Sequence, residues 1–223
     1  MIEILRGLYM KIIKIVSDKL TQNNYLVVDD KTAILIDGSA KVSHIEENIK
    51  IYAPKPKICG IFVTHAHFDH IMELDNLAKK YECPIYISKE GKKHLYDEKK
   101  NLSVIDNPFK IKQRKLIKTF VDGDEFVFEN LKVKCFVTSG HSVDSSCFKI
   151  DNNLFTGDTI FKVGVGRTDM FSGDRYVQKI SLLRLKDEDA FGCENFYPGH
   201  GVNFNKDELM YNIEHYLGDD EWI

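Results

Sequence analysis

The chain has 223 residues, of which 43% are hydrophobic and 29% charged, with a formal net charge of -3. That length and balance suit a single domain over residues 1–223 and exclude the basic surface that a nucleic-acid or anionic-membrane partner requires. Five scattered cysteines, Cys59, Cys83, Cys135, Cys147 and Cys193, with no CxxC pair, exclude a disulfide framework and a thiolate zinc site.

Glu3, Arg6, Lys11 and Lys14 interrupt the first apolar stretch, so neither a signal-peptide core nor a membrane span is expected, and the reduced cysteines point to the cytoplasm. The strand-like pattern begins just after Met10, a second candidate start, which leaves residues 1–9 as an N-terminal extension. Residues 12–16, 25–28 and 33–36 are rich in Ile, Val and Tyr and read as strands. Asp37-Gly38-Ser39 breaks that pattern as a turn, and 43–52 reads as a helix. Residues 58–63 form an apolar run without alternation, as expected of a strand buried on both faces. After it, Ile71, Leu74, Leu77, Ala78 and Tyr81 recur at helical spacing. A strand over 85–87 and a polar excursion over 89–115 follow. Two hairpins come next, 126–128 with 131–137 and 147–150 with 154–156. A helix over 176–185, a short strand at 196–197 and a helix over 207–217 close the chain. Strands precede helices in each half, which predicts two packed sheets with helices outside.

The chemistry lies in the placement of the histidines. His65, His67 and His70 fall within six residues, with Asp69 between the second and third, directly after a buried strand. Imidazole and carboxylate are the donors a borderline metal such as zinc takes when thiolates are lacking. Residues two apart in an extended segment point the same way, so His65 and His67 can clasp one ion. Asp69 and His70, at the entry of the following helix, point elsewhere and suit a second. Three later positions stand at strand ends among residues that permit unusual backbone angles: His141 in Thr138-Ser139-Gly140-His141-Ser142, Asp158 in Thr156-Gly157-Asp158-Thr159, and His200 in Tyr197-Pro198-Gly199-His200-Gly201. Asp158 has two oxygens and can bridge two ions. Taken singly, Asp69 reads equally as a helix N-cap, Asp158 as a turn residue, and His141 or His200 as ordinary turn histidines. Four donors in six residues are hard to explain that way. His44, His94 and His215 lie in charged, helical or surface-like stretches and are expected to be solvated.

The sequence H-x-H-x-D-H, followed by Gly140-His141, Gly157-Asp158-Thr159 and Pro198-Gly199-His200-Gly201, resembles the metallo-β-lactamase superfamily, from about Tyr25 to His200. The segments Gly157-Asp158-Thr159-Ile160-Phe161, Gly166-Arg167-Thr168-Asp169 and Ser172-Gly173-Asp174 are most similar to its glyoxalase II-like (hydroxyacylglutathione hydrolase-like) branch. The resemblance implies an α+β, four-layer αββα sandwich. It also implies two divalent ions, zinc first and iron or manganese as other occupants. One would be held by His65, His67 and His141, the other by Asp69, His70 and His200, with Asp158 and a water bridging them. Asp37, in the turn after the third strand, would orient a ligand histidine. The chain departs from the family in having Ser139 where proline is usual. Only 23 residues follow His200, too few for the helical glutathione-binding domain of glyoxalase II proper.

The expected function is therefore that of a dinuclear metal-dependent hydrolase of small-molecule thioesters such as S-lactoylglutathione, with a metal-bridging hydroxide as nucleophile and Asp69 and Asp158 as the catalytic carboxylates. No Gly-x-Ser-x-Gly elbow supplies a protein nucleophile. Arg167 is expected to pair with Asp169 rather than bind substrate. The rivals are a mononuclear iron persulfide dioxygenase, a lactonase or other ester hydrolase on the same fold, and a metal-binding scaffold without activity.

Overall fold

The computed structural model describes residues 10–218; the extension read over residues 1–9 lies outside the described residues. The first sheet holds β1 (Lys11–Val16), β2 (Asn23–Asp29), β3 (Thr32–Ile36), β4 (Lys57–Phe62), β5 (Ile85–Ser88) and β6 (Ile117–Phe120), side by side in chain order. β1, β2 and β3 pair antiparallel, and β3 through β6 pair parallel. Parallel neighbours need crossovers. These are α1 (Val42–Ile49), then α2 (Phe68–Ile71) with α3 (Leu74–Tyr81), then α4 (Gly91–His94) with the 95–116 excursion.

The second sheet holds β7 (Glu125–Phe128), β8 (Leu131–Val137), β9 (Ser146–Ile150), β10 (Asn153–Gly157), β11 (Asn195–Pro198) and β12 (Phe204–Asn205). Its order is β12-β11-β10-β9-β8-β7, and only β10 and β11 pair parallel. The helix α5 (Arg175–Asp187) makes that parallel crossover, and α6 (Lys206–Gly218) follows β12.

Alternation along the strands sorts the core into three apolar layers. Tyr25, Val27, Ile34 and Ile36 point inward with Phe62 and Phe120 and meet Val133, Cys135, Phe148 and Phe155 of the second sheet. Their neighbours Leu26, Val28, Ala33 and Leu35 point outward and meet Ile45 and Ile49 of α1 and Leu74, Leu77 and Ala78 of α3. On the far side Phe136, Cys147, Leu154 and Phe196 meet Leu182 and Leu185 of α5 and Leu209 and Ile213 of α6. The result is the expected αββα sandwich. Both faces of the central strands are covered, which is why 58–63 shows no alternation: Ile61 serves one layer and Phe62 the other.

Several elements differ from the sequence reading; β12, only two residues long, gives no sequence signal. The helix expected from Ile71 onward is broken into α2 and α3. The Gly38 amide donates to the His70 carbonyl and the Glu73 amide to the Gly38 carbonyl, so the turn after β3 takes the groups a continuous helix would use. Strand β6 gave no period-2 signal because its two central residues, Lys118 and Thr119, are both exposed. None of the helices among the described residues is long and apolar enough to cross a membrane.

Candidate metal centre

All seven candidate donors follow the C-terminal ends of strands, and the two sheets present those ends along one edge of the sandwich. β4 leads to His65, His67, Asp69 and His70; β8 to His141; β10 to Asp158; β11 to His200. The structure brings all seven together. Three groups of them place donor atoms within 4.8 Å of one another: His65, His67 and His141; His65, His70 and Asp158; and Asp69, His70 and His200.

Hydrogen bonds at the outer ring nitrogens decide which atoms face inward. His70 Nδ1 lies 2.8 Å from Asp37 Oδ2, so this nitrogen carries the proton and Nε2 faces the centre. His141 Nδ1 lies 2.6 Å from the Arg167 carbonyl oxygen and must donate to it, which leaves Nε2 as an acceptor 2.9 Å from His67 Nδ1. His65 Nδ1 is 3.1 Å from Thr64 Oγ1. The Asp158 carboxylate divides its oxygens. Oδ1 is 3.3 Å from His70 Nε2, while Oδ2 is 3.7 Å from His141 Nε2 and 3.6 Å from His200 Nε2. Asp69 Oδ2 is 3.2 Å from His200 Nε2.

His65 Nε2, His70 Nε2 and Asp158 Oδ1 are buried and have no hydrogen-bond partner. Buried polar atoms are normally satisfied, since leaving one unpaired costs about 1–3 kcal/mol. A convergent set of orphaned imidazole and carboxylate donors is what divalent cations bind, so the residues fit the metal. Asp69 and His200 are partly exposed, with side chains 16% and 29% accessible, and the centre opens to solvent on their side. A hollow of about 580 Å³ is lined by Phe68, Met72, Asp106 and Phe109 and by none of the seven. A second hollow, about 420 Å³ beside the β7–β8 hairpin, touches none of the seven.

The electrostatics keep His65, His67 and the two carboxylates in the forms that ligate. Burial pushes the His67 imidazole down to about 4, and burial together with the neighbouring histidines pushes His65 well below its usual value, so both are neutral at pH 7. His70 goes the other way: burial lowers it, but Asp37, Asp158 and Asp69 outweigh that and raise it. Burial works against the ionised Asp158 and Asp69, yet the histidines around them hold both carboxyls below the usual range.

Backbone geometry makes room for the cluster. A Cβ on Gly199 would collide with Asp158 Oδ1 and with the His70 ring, so only glycine can precede His200. Gly140 has φ +148, and a Cβ there would strike Gln178 of α5. Asp69 is not the helix cap it resembled: His67 occupies that position in α2, and no side-chain cap bond forms. Asp37 takes a left-handed conformation (φ 64) and accepts from the Thr64 amide at 2.8 Å as well as bonding His70, the orienting role expected for it. Arg167 pairs with Asp169 through two bonds of 2.6 Å.

Some neighbours were not singled out in the sequence. Gln22 Nε2 donates to Asp37 Oδ2 at 3.2 Å, and its backbone bridges to His200. Asp144 is fully buried and accepts from the Ala66 amide at 2.8 Å. His94, expected to be solvated, is instead buried against Asp144 at 3.1 Å, because the short helix α4 turns it inward. A lone Gln or Asp carries no sequence signal for such a role. The helical spacing of His94 from buried Gly91 was the cue for that residue.

The family model described as the metallo-beta-lactamase superfamily matches residues 18–200, spanning all seven donors. The chain belongs to the metallo-β-lactamase superfamily. Among relatives in the superfamily, a probable polyketide biosynthesis zinc-dependent hydrolase, PksB of Bacillus subtilis, is 26% identical over 85% of this chain and 79% of its own length. A hydroxyacylglutathione hydrolase of Idiomarina loihiensis is 29% identical over 78% of this chain, which spans only 60% of that enzyme. Among solved structures, the BLEG-1 B3 metallo-beta-lactamase superposes with a TM-score of 0.80 at 24% identity, over 92% of this chain and 99% of that one, and shares its fold.

Proposed function

We propose that the chain is a dinuclear metal-dependent hydrolase, with zinc as the first candidate ion, acting on small thioesters such as S-lactoylglutathione. The observation that carries this reading is the place of the Asp158 carboxylate between both groups, within 3.7 Å of His141 Nε2 on one side and within 3.3 and 3.6 Å of His70 Nε2 and His200 Nε2 on the other. His65, His67 and His141 would hold one ion, Asp69, His70 and His200 the other, and Asp158 both. Divalent ions held there would supply an activated water and polarise a carbonyl.

The residues supply orientation and protons. The Arg167 carbonyl and Asp37 hold Nδ1 of His141 and His70 and keep their Nε2 atoms turned inward. Asp69, ionised and at the open side, can accept a hydrogen bond from a water entering beside His200. Cys147 is no alternative nucleophile, since burial pushes its thiol up to about 11. A thiolate leaves without strong acid assistance, which matches a centre whose carboxyls are held ionised. The likeness to a hydroxyacylglutathione hydrolase supports the thioester, and the likeness to a zinc-dependent hydrolase supports the ion.

The test is hydrolysis of S-lactoylglutathione by protein loaded separately with zinc, manganese and iron, with His67→Ala as the blank. Turnover that vanishes in the blank supports the proposal. Two ions bound with no turnover would discard this substrate, and loss of the thioester reading would turn attention to lactones and to oxygen uptake with a persulfide.

A further inference from the structure

Asp144 is an acid with 0% exposure that no step above uses. Burying a carboxylate is costly unless charge and hydrogen bonds compensate it, and its partners show what it serves. Oδ2 accepts from the amide of Ala66, the residue between His65 and His67, at 2.8 Å. Oδ1 meets His94 Nδ1 at 3.1 Å. Asp144 itself lies three residues after His141, in the same turn, and its carbonyl accepts from Ser88 Oγ at the end of β5, at 3.2 Å. One side chain of the second sheet thus reaches across to the first and ties the turn bearing His141 to the segment bearing His65 and His67. Space for it is reserved: a Cβ on Gly91 would lie 2.8 Å from Asp144 Oδ2. On the outer side the His94 ring packs edge-on against Phe171, at 5.6 Å. Ser172 Oγ accepts from the Val143 amide at 3.2 Å, which fastens the 162–174 loop to the same turn.

We propose that Asp144 and His94 form a positioning pair that sets the register of His65 and His67 against His141, and thereby the affinity of this three-histidine group for a divalent cation. The inference rests on the metal-binding reading above. An ordinary core hydrogen bond would stabilise the fold without touching the ligands. Here the amide held by the carboxylate lies between two of them, so a shift at Ala66 moves both rings relative to His141 Nε2, now 2.9 Å from His67 Nδ1. His94 limits where the carboxylate can sit.

Titration of metal-free protein with cobalt(II), read by its visible absorption, separates the possibilities. Asp144→Ala is expected to weaken cobalt binding about 10–100-fold, the usual effect of removing a group that orients a metal ligand, and to alter the absorption bands. Asp144→Asn, which keeps an acceptor for the Ala66 amide, restores most of the affinity. His94→Ala gives an intermediate loss even if Asp144→Ala fails to fold. His44→Ala, on the surface, serves as the control. Wild-type affinity and spectrum in folded Asp144→Ala or His94→Ala, with only the melting temperature lowered, would reduce the pair to a structural role and overturn the proposal. A wild-type protein that binds no cobalt would instead sink the metal reading and this inference with it.

Discussion

The Nδ1 atom of His141 lies 2.6 Å from the backbone carbonyl oxygen of Arg167. The His141 ring is therefore oriented by main chain, and the Arg167 side chain, paired with Asp169 at the surface, is separate from that task. Gly166 sits where a Cβ would collide with the Asp158 carbonyl and approach the His141 ring to 2.9 Å. Two neighbouring substitutions should then part company. Arg167→Ala keeps the carbonyl and loses only an exposed, solvent-screened ion pair, so metal content should match wild type. Gly166→Ala should displace His141 and Asp158 together, lowering bound metal and reducing kcat/KM by about 10–100-fold. Metal analysis of the two purified variants checks this directly, and equal metal content would refute it.

Asp37 acts on the other half of the centre. It bonds His70 Nδ1 and the Thr64 amide, and Gln22 donates to it in turn. Asp37→Ala should cost about 10–100-fold in metal affinity and should also destabilise the fold, because the buried Thr64 amide and Gln22 lose an acceptor. Asp37→Asn should keep more stability than affinity, since the amide can still accept from Thr64 but no longer offers a charge to His70. A chelator competition series on the two variants, set beside their melting temperatures, tests the separation.

The seven residues that converge could be picked out in the sequence because each pairs a strong chemical identity with a strand end or a Gly-rich turn. Asp158 between Gly157 and Thr159, and His200 after Pro198-Gly199, stand out even without structure. The sandwich was legible for a related reason: β2 and β3 are buried on both faces, and the β7–β8 hairpin alternates along most of its length. What escaped was whatever depends on contacts between distant segments. Asp144 reaches Ala66 across 78 residues and His94 across 50, and nothing local marks it as buried. The break between α2 and α3 comes from Gly38, more than thirty residues earlier. The edge strand β6 had no period to find, because pairing with β5 rather than its own face pattern defines it.

Asp158→Asn isolates the charge of the carboxylate proposed to serve both ions from its volume. The carboxyl is held ionised by His70, His141 and His200. Replacing it with an amide should cut metal binding and lower kcat/KM by about 100-fold, while far-UV circular dichroism stays that of the wild type because Asp158 is no part of the apolar layers. His67→Ala should behave alike in turnover. Full activity in either variant would contradict the proposed metal centre.

The histidines also set how the metal-free protein responds to pH. His67 titrates at about 4 in the folded chain against about 6.5 in an unfolded one, and His65 is shifted the same way, both chiefly by burial. Between those values the unfolded state takes up protons that the folded state refuses, so stability falls as pH drops from about 6.5 toward about 4. His70 has the opposite sign. Burial opposes its charge, but Asp37, Asp158 and Asp69 raise it, so its contribution is complete below about 6.5 and is lost as pH rises toward its folded value. The lowered carboxyls of Asp69 and Asp144 add stability that is lost only further into the acid range. Urea denaturation of chelator-treated protein at a series of pH values should therefore show a stability maximum near neutrality. His67→Gln should flatten the limb between about pH 6.5 and 4, and His70→Gln the limb above it. An acid limb unchanged in His67→Gln would mean that burial of this ring is not what the folded state resists protonating.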